Sequence, residues 1–317
     1  MQQSTVFTPQ PEVFTVSSTN FTPESRKKPV ISGTDAVAGA VGGVFSVLLG
    51  QPFDLIRVRL QTSNSSNVLK TTRDIWVHEG PLAFYKGAAA PFIGAGVCVS
   101  IQFAVFHSLR QAFEHDGRSE LAKAYLFGGA AGAANSILSS PVEHIRTRLQ
   151  LQPHGVARLY AGPIDCIRSI VKQAGIRGIF KAYPVAFVKE TQAFGCYFLA
   201  FEASMTGLSK VRGKLRNDMS AWEIIPCGAL GGIGFWVGSF PLDVIKTRLQ
   251  GDSFGADAKY KSTRMAVMKT WQEGGMKAFW RGLSPTLVRT SLSSAGCFTA
   301  VEQIRKLMAT PQQLEPL

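Results

Sequence analysis

Three stretches of the chain carry an acid and a base three residues apart, just after a proline: Pro52-Phe-Asp54-Leu-Ile-Arg57-Val-Arg59-Leu-Gln61, Pro141-Val-Glu143-His-Ile-Arg146-Thr-Arg148-Leu-Gln150 and Pro241-Leu-Asp243-Val-Ile-Lys246-Thr-Arg248-Leu-Gln250. That spacing puts acid and base on one helical face, where they pair within the helix or reach a neighbour. One such stretch is an ordinary surface pattern. Three, each closing an uncharged segment, make a candidate ring whose acids and bases neutralise one another in a closed state. A second set of charges, Lys189, Glu190 and Arg289, interrupts segments that are otherwise apolar. Two cations and one carboxylate suit a small zwitterion: Arg289 or Lys189 binds a carboxylate, Arg bidentately, and Glu190 receives an ammonium. The alternative for the same residues is an internal Lys189–Glu190 or Arg289–Glu190 ion pair with no ligand.

Other chemistries find no support. There is no phosphate loop, HExxH helix, dinucleotide fingerprint or pair of catalytic carboxylates, so the sequence points away from an enzyme and implies no cofactor. Cys98, Cys166, Cys196, Cys227 and Cys297 form no CxxC pair and no metal-type spacing, and four of them lie in apolar segments as packing residues. His78, His107, His115, His144 and His154 are scattered and read as surface or packing residues.

These residues must be positioned by elements that the composition already constrains. The chain has 317 residues, 34 Lys+Arg against 21 Asp+Glu, and only 17% charged residues. Soluble domains carry about a quarter charged residues, so a basic yet charge-poor chain argues for lipid contact. Residues 36–53, 87–106, 124–142 and 224–242 contain no Lys, Arg, Asp or Glu, and each is about long enough to cross a hydrocarbon core. Two further segments, about 183–208 and 284–308, are apolar at the helical period except at Lys189, Glu190 and Arg289. Six spans are therefore expected. The three motifs begin 89 and 100 residues apart, and thirteen residues before each proline stands the first glycine of a GxxxG pair: Gly39/Gly43, Gly128/Gly132 and Gly228/Gly232. The chain is three copies of one unit, a Gly-rich apolar helix, a Pro and a charged cluster, a basic polar stretch and a second apolar helix. The glycines let helices approach closely and the prolines bend three of them toward one axis. The unit boundaries read as 33–115, 120–210 and 219–310. Residues 1–32, rich in Ser, Thr, Pro and Gln, read as a disordered tail without a secretory or amphipathic leader, and 311–317 as a C-terminal tail.

At these residues the sequence resembles the mitochondrial carrier family, from about residue 33 to 310. The resemblance implies an all-α membrane protein, six transmembrane helices in three pseudo-threefold repeats around a central cavity with short matrix-side helices, multi-pass in the mitochondrial inner membrane, a peroxisomal home being the lesser alternative. By position it pairs Asp54 with Arg146, Glu143 with Lys246 and Asp243 with Arg57 as a matrix gate, braced by Gln61, Gln150 and Gln250. The family's second signature is intact in the first copy, Glu79-Gly80 and Tyr85-Lys86-Gly87, and partial in the third, Gly275 and Trp280-Arg281-Gly282, where Gly274 takes the acidic place. The second copy keeps Gly175 and Phe180-Lys181 but has Ala174 and Ala182. This implies cardiolipin contact at Lys86, Gly87, Arg281 and Gly282. The family's cytoplasmic pattern falls on Phe106-His107 with Arg110, Phe201-Glu202 with Met205 and Val301-Glu302 with Arg305, leaving two bridges, Glu202 with Arg305 and Glu302 with Arg110. Its contact points fall on Gly94, Lys189-Glu190 and Arg289, each base or glycine 13 residues before His107, Glu202 or Glu302.

The base-acid pair at Lys189-Glu190 resembles the amino-acid and carnitine/acylcarnitine branch, and the first two spans look closest to fungal-type carriers of that group. The implied function is exchange of a zwitterionic metabolite by a monomer through alternating access, with membrane lipid and no nucleic acid as further partners. Its rivals are a proton or ion conduit of the uncoupling type, a non-transporting scaffold, and a carrier of carboxylates. The segments 54–87, 143–182 and 243–282 hold +11 of the net charge of +13, all on the expected matrix face. The charge thus reports orientation opposite anionic lipid rather than a nucleic-acid partner.

Overall fold

The computed structural model describes residues 33–63, 67–88, 95–113, 117–152 and 159–292. Among them there is no strand. A long helix, α1 (Gly33–Thr62), is followed by a short one, α2 (Val68–Glu79), a 3-10 turn at Pro81–Tyr85, and α3 (Ala95–Ala112). The second copy repeats the order with α4 (Glu120–Leu151), α5 (Pro163–Ala174), a turn at Ile176–Phe180 and α6 (Tyr183–Arg212). The third has α7 (Ala221–Gly251), α8 (Thr263–Ala278) and α9, described over 283–292. The segments 36–53, 124–142, 183–208 and 224–242 lie wholly within α1, α4, α6 and α7. Of the other two, residues 95–106 and 284–292 are helical, Gly87 and Ala88 lie in a turn, and 89–94 and 293–308 fall outside the described residues.

Local chemistry sets the helix ends. The Asn67 side chain accepts from the Lys70 amide at the start of α2, Ser119 does the same for Ala122 in α4, and Ser220 with Glu223 forms a reciprocal capping box on α7. Pro52, Pro141 and Pro241 lie inside α1, α4 and α7, so each helix lacks one backbone donor just before its charged cluster.

The faces are inverted relative to a water-soluble bundle. On α6, Val188 is 51% exposed while the next two residues, Lys189 and Glu190, are 2% and 3% exposed. On α1, Phe45 and Leu48 are exposed and Gln51 and Asp54 buried. Apolar side chains outside and paired charges inside suit a lipid solvent, which cannot stabilise an isolated charge. Among the described residues one helix, Glu223–Gly251, has by itself the length and apolarity to cross a membrane.

Glycine places α6 between α4 and α7. A Cβ at Gly132 would fall 2.3 Å from the Glu190 carbonyl oxygen, and one at Gly238 would fall 2.4 Å from Cys196 Sγ. Neither position accepts a side chain without a shift; at Gly132 the neighbour is backbone, and on α7 a Cβ at Gly234 would fall 3.0 Å from the Cys196 carbonyl oxygen. Gly132 belongs to a GxxxG pair read from the sequence, whereas the α7–α6 contact uses Gly231, Gly234 and Gly238. An aromatic core fills the space between the long helices: Phe106, Phe127, Phe194, Tyr197, Phe198, Phe235, Trp236 and Phe240. Phe106 stacks on Phe198 with ring centroids 4.1 Å apart.

Candidate functional site

The helices α1, α4 and α7 touch one another pairwise, and their charged clusters meet. Arg146 donates to Asp54 Oδ2 at 2.5 Å, Lys246 donates to Glu143, and Arg57 donates to Asp243. Each acid thus takes the base of another repeat, so the three pairs run in one cyclic order. Of the three glutamines expected as braces, Gln61 donates to Asp243 Oδ2 at 2.7 Å. Gln150 and Gln250 are buried, yet Gln150 Nε2 and both side-chain polar atoms of Gln250 have no hydrogen-bond partner among the described residues. A different glutamine braces the first pair. Gln51 accepts from Arg146 at 2.8 Å and donates to the Lys86 carbonyl at 2.6 Å. Its one signal in the sequence is an amide before Pro52, where the other copies have Ser140 and Phe240. Trp236 also went unread: the Arg57 guanidinium lies 4.2 Å from its ring centroid, within cation–π range.

A second layer of bases lies beyond the ring. Arg59 meets Glu79 at 2.9 Å and the Gln150 carbonyl at 3.2 Å. Arg248 meets Glu273 at 2.6 Å and the Gln61 carbonyl at 2.8 Å. Glu273, one residue ahead of the expected acidic place, supplies the carboxylate that Gly274 lacks. The second copy has no such acid. There Arg148 donates to His144 Nε2 at 2.9 Å, to Tyr160 Oη at 3.2 Å and to the Asp252 carbonyl at 2.6 Å. His144 Nδ1 donates to the Ile179 carbonyl at 2.9 Å, an assignment that leaves Nε2 free to accept.

The bases of the second signature turn toward protein rather than outward. Lys86 reaches Glu79 at 2.5 Å and the Gln152 carbonyl at 3.2 Å, and Arg281 reaches the Ser63 carbonyl at 3.3 Å. Lys181 reaches the carbonyls of Asp252 and Ser253, both at 2.7 Å. Each thereby caps the carboxyl end of a long helix in another repeat, where orphan carbonyls favour a cation. The side chains of Lys86 and Arg281, expected to face lipid headgroups, are used in this way. Gly87 and Gly282 hold positive φ of 76 and 91, and a Cβ at either would crowd a carbonyl oxygen, that of Arg146 at 3.3 Å or Arg57 at 3.2 Å.

Within the apolar spans, Lys189 Nζ meets Glu190 Oε1 at 2.6 Å, and the ammonium also lies 5.0 Å and 5.6 Å from the ring centroids of Phe235 and Trp236. Arg289 does not join Glu190. Its Nε lies 2.8 Å from Asp54 Oδ1, because Asp54 offers Arg146 only one of its two oxygens. Gly94 lies outside the described residues.

At the opposite end, Phe106 is buried while His107 and Arg110 are exposed. Glu202, expected on Arg305, takes both its hydrogen bonds from Arg216, at 2.8 and 2.9 Å. Met205, standing where a base was sought, is buried with Phe201, Met219 and Cys227, a setting that rejects a cation. Val301, Glu302 and Arg305 lie outside the described residues.

Apolar faces turned outward, three repeats and a ring of ion pairs between the repeats suit a membrane transporter. Comparison with known proteins bears on which kind. The family model "Mitochondrial carrier protein" matches residues 29–117, 117–212 and 217–312, and the chain belongs to that family. It is 38% identical over 280 residues to the glutamate/glycine mitochondrial carrier ymc1 of Schizosaccharomyces pombe, covering 86% of this chain and 94% of the relative. It is 36% identical to the mitochondrial glycine transporter YMC1 of Saccharomyces cerevisiae, over 86% and 91% of the two chains. It is 34% identical to the human mitochondrial basic amino acids transporter, over 84% and 88%. The protein is accordingly a multi-pass carrier of the mitochondrial inner membrane.

Proposed function

We propose that this carrier exchanges a small zwitterionic amino acid between cytosol and matrix by alternating access. The observation that carries the reading is the buried Lys189–Glu190 pair, 2.6 Å apart in the first third of α6 on the face turned away from lipid. Burying two charges costs several kcal/mol per ion before pairing offsets it, and charges inside a span mark a ligand path by default. A zwitterion substitutes for both partners: its ammonium replaces Lys189 on Glu190, and its carboxylate goes to Lys189 or Arg289. Glycine, glutamate and the basic amino acids, the substrates in the relatives' names, all carry those two groups. Carnitine and acylcarnitines carry a carboxylate and a quaternary cation, and the rings of Phe235 and Trp236 beside Lys189 would accommodate that cation; the relatives' names favour amino acids.

The ring of Asp54–Arg146, Glu143–Lys246 and Asp243–Arg57 acts as the matrix gate, closed in this conformation, and opens as bound substrate offsets the rupture of its pairs. Glu202, with Glu302, Arg110 and Arg305, serves the cytoplasmic gate. The carrier works as a monomer, and anionic lipid is held at Gly87 and Gly282 through backbone amides, the bases Lys86 and Arg281 being occupied in bracing.

Purified protein in liposomes preloaded with an amino acid tests this. Labelled glycine, glutamate, arginine, ornithine, lysine, carnitine and a dicarboxylate are offered outside. Saturable uptake of an amino acid that depends on internal counter-substrate is expected, and Glu190→Gln should abolish it. Uptake of dicarboxylate alone would sink the zwitterion, uptake of carnitine alone would move the substrate to that branch, and proton flux without exchange would favour the uncoupling conduit.

A further inference from the structure

The bases beyond the ring are tied differently in the second copy. In the first copy Glu79 takes Arg59 at 2.9 Å and Lys86 at 2.5 Å, and in the third Glu273 takes Arg248 at 2.6 Å and Arg281 at 3.9 Å. Each of those knots lies inside one repeat. The second copy has Ala174 where the first has Glu79, and Gln173 where the third has Glu273. Its two bases reach across the junction instead. Arg148 and Lys181 donate to the same Asp252 carbonyl, at 2.6 and 2.7 Å, and the ring centroid of Phe254 lies 4.3 Å from Arg148 Cζ and 4.7 Å from Lys181 Nζ. Phe254 stands in the loop after α7, yet it packs on the second copy's cluster of Ile145, Leu149, Tyr160, Cys166 and Ile170. The loop is shaped to present it: the Asp252 carboxylate accepts from the amides of Lys259 and Tyr260 at 2.9 and 2.8 Å, and Gly255 turns the chain at φ 70.

We propose that Phe254 is a positioning residue of the charged ring, an aromatic clasp that holds the second and third copies together while the ring is closed and sets how readily that end opens. The inference rests on the reading of the ring as a gate. Two cations on one carbonyl repel each other, and an aromatic face lying against both offsets part of that repulsion. A carboxylate at 174 would tie the bases to their own copy, whereas the Phe254 ring ties them to the next one. When the junction parts, Phe254 leaves both bases and the apolar cluster, so the contact belongs to the closed state and is lost in the open one. Only such a difference between states shifts their populations. The junction is also where the ring is otherwise weakest: Glu143, at 35%, has the most exposed side chain of the three pairs. Gln150 Nε2 and the Gln250 amide, the expected braces there, have no hydrogen-bond partner among the described residues.

Phe254→Leu separates the clasp from mere packing, because leucine keeps an apolar knob and removes the aromatic face. The full-length carrier is placed in liposomes, its orientation is established by protease digestion, and KM for the exchanged amino acid is measured on both faces. In Phe254→Leu the KM on the ring side should fall about fivefold, since the population able to bind from that side grows, while KM on the opposite face rises less than about twofold. Damage to the fold alone would not move the two faces in opposite directions. Phe254→Tyr keeps the aromatic face and should retain the natural values. Ala174→Glu offers the bases a carboxylate of their own copy, and in that background Phe254→Leu should change the ring-side KM by less than about twofold. If the leucine variant does not fold, Phe254→Met, whose unbranched side chain fills irregular gaps, should give the same split. A ring-side KM unchanged in Phe254→Leu or Phe254→Met overturns the proposal while leaving amino-acid transport intact, and so does a Phe254→Tyr variant displaced as far as the leucine one. If the natural carrier shows no saturable exchange of any amino acid, the transport reading itself has failed, and the clasp with it.

Discussion

At residue 182 the second copy has alanine where the other copies have Gly87 and Gly282, and Ala182 still adopts the left-handed backbone, φ 66. The site is shared geometry, but its tolerance differs. A methyl at 282 would sit 3.2 Å from the Arg57 carbonyl oxygen and 3.4 Å from Arg57 Cγ, whereas Ala182 packs against the cluster of Val185, Ile245 and Phe279. Gly282→Ala should lower stability by about 1–2 kcal/mol from the backbone alone, and more as Arg57 shifts from Asp243. Ala182→Gly should not lower it. Thermal denaturation of the two variants checks the pair, and equal losses would contradict the argument. A second residue-scale test concerns His144, where the other copies have Leu55 and Val244. Leucine there removes the acceptor of Arg148 Nε, and a buried donor left without a partner costs about 1–3 kcal/mol. His144→Leu should therefore destabilise, and the conservative His144→Gln should recover part of the loss. The charged ring itself was legible because three copies of one motif show which positions matter. The use of His144 was not, since a lone histidine carries no signal until Ile179 and Arg148 are seen on either side of it.

The long helices were visible as uncharged runs, and the short ones, α2, α5 and α8, only as basic polar stretches between them. Their caps, at Asn67 and Ser262 for α2 and α8, are read after the fact. What a single-chain pattern could not reveal is which face of a helix meets which neighbour. On α7 the glycines against α6 are Gly231, Gly234 and Gly238, a set selected by Tyr197, Cys196 and Ala200 on a different helix. Gly132→Leu should separate α4 from α6 and disrupt the backbone around Glu190, lowering stability by at least about 1–3 kcal/mol; normal stability would argue against the close approach. The connections between repeats also titrate. Burial pushes Lys181 down to about 8, against the pull of the Asp252 carboxylate and with the push of Arg148. Its folded value lies below the ordinary 10.5, so the protonated form burdens the fold at pH below about 8. That burden is lost as pH rises from there toward 10.5, and stability gains over the same window. Denaturation midpoints measured across that range should rise more in the natural protein than in Lys181→Met, and parallel curves would remove Lys181 as the cause.

At the scale of the whole molecule the sequence conveyed the symmetry, because threefold repetition is a property of the string. It conveyed less of what breaks the symmetry. Arg289 on Asp54, Gln51 in place of Gln150 and Gln250, and Glu202 on Arg216 depend on distances between residues far apart in the chain. The symmetric part makes the last prediction. If the ring works as three pairs, each between repeats, then the identity of the acid and base at one junction matters less than their complementarity. Glu143→Lys places two cations together at Lys246, and Lys246→Glu places two acids together beside Asp243, 4.0 Å from Lys246 in the natural ring. Side-chain exposures of 35% for Glu143 and 4% for Lys246 put this pair between the surface and buried limits, so each single variant should lose on the order of 2 kcal/mol. The double variant restores one acid and one base at the junction and should regain most of that loss, with exchange returning alongside it. The cycle needs only thermal denaturation and one transport rate for four proteins. A double variant as unstable as the sum of the singles would mean that Glu143 and Lys246 act through separate partners, and the ring would then be two linked pairs rather than three.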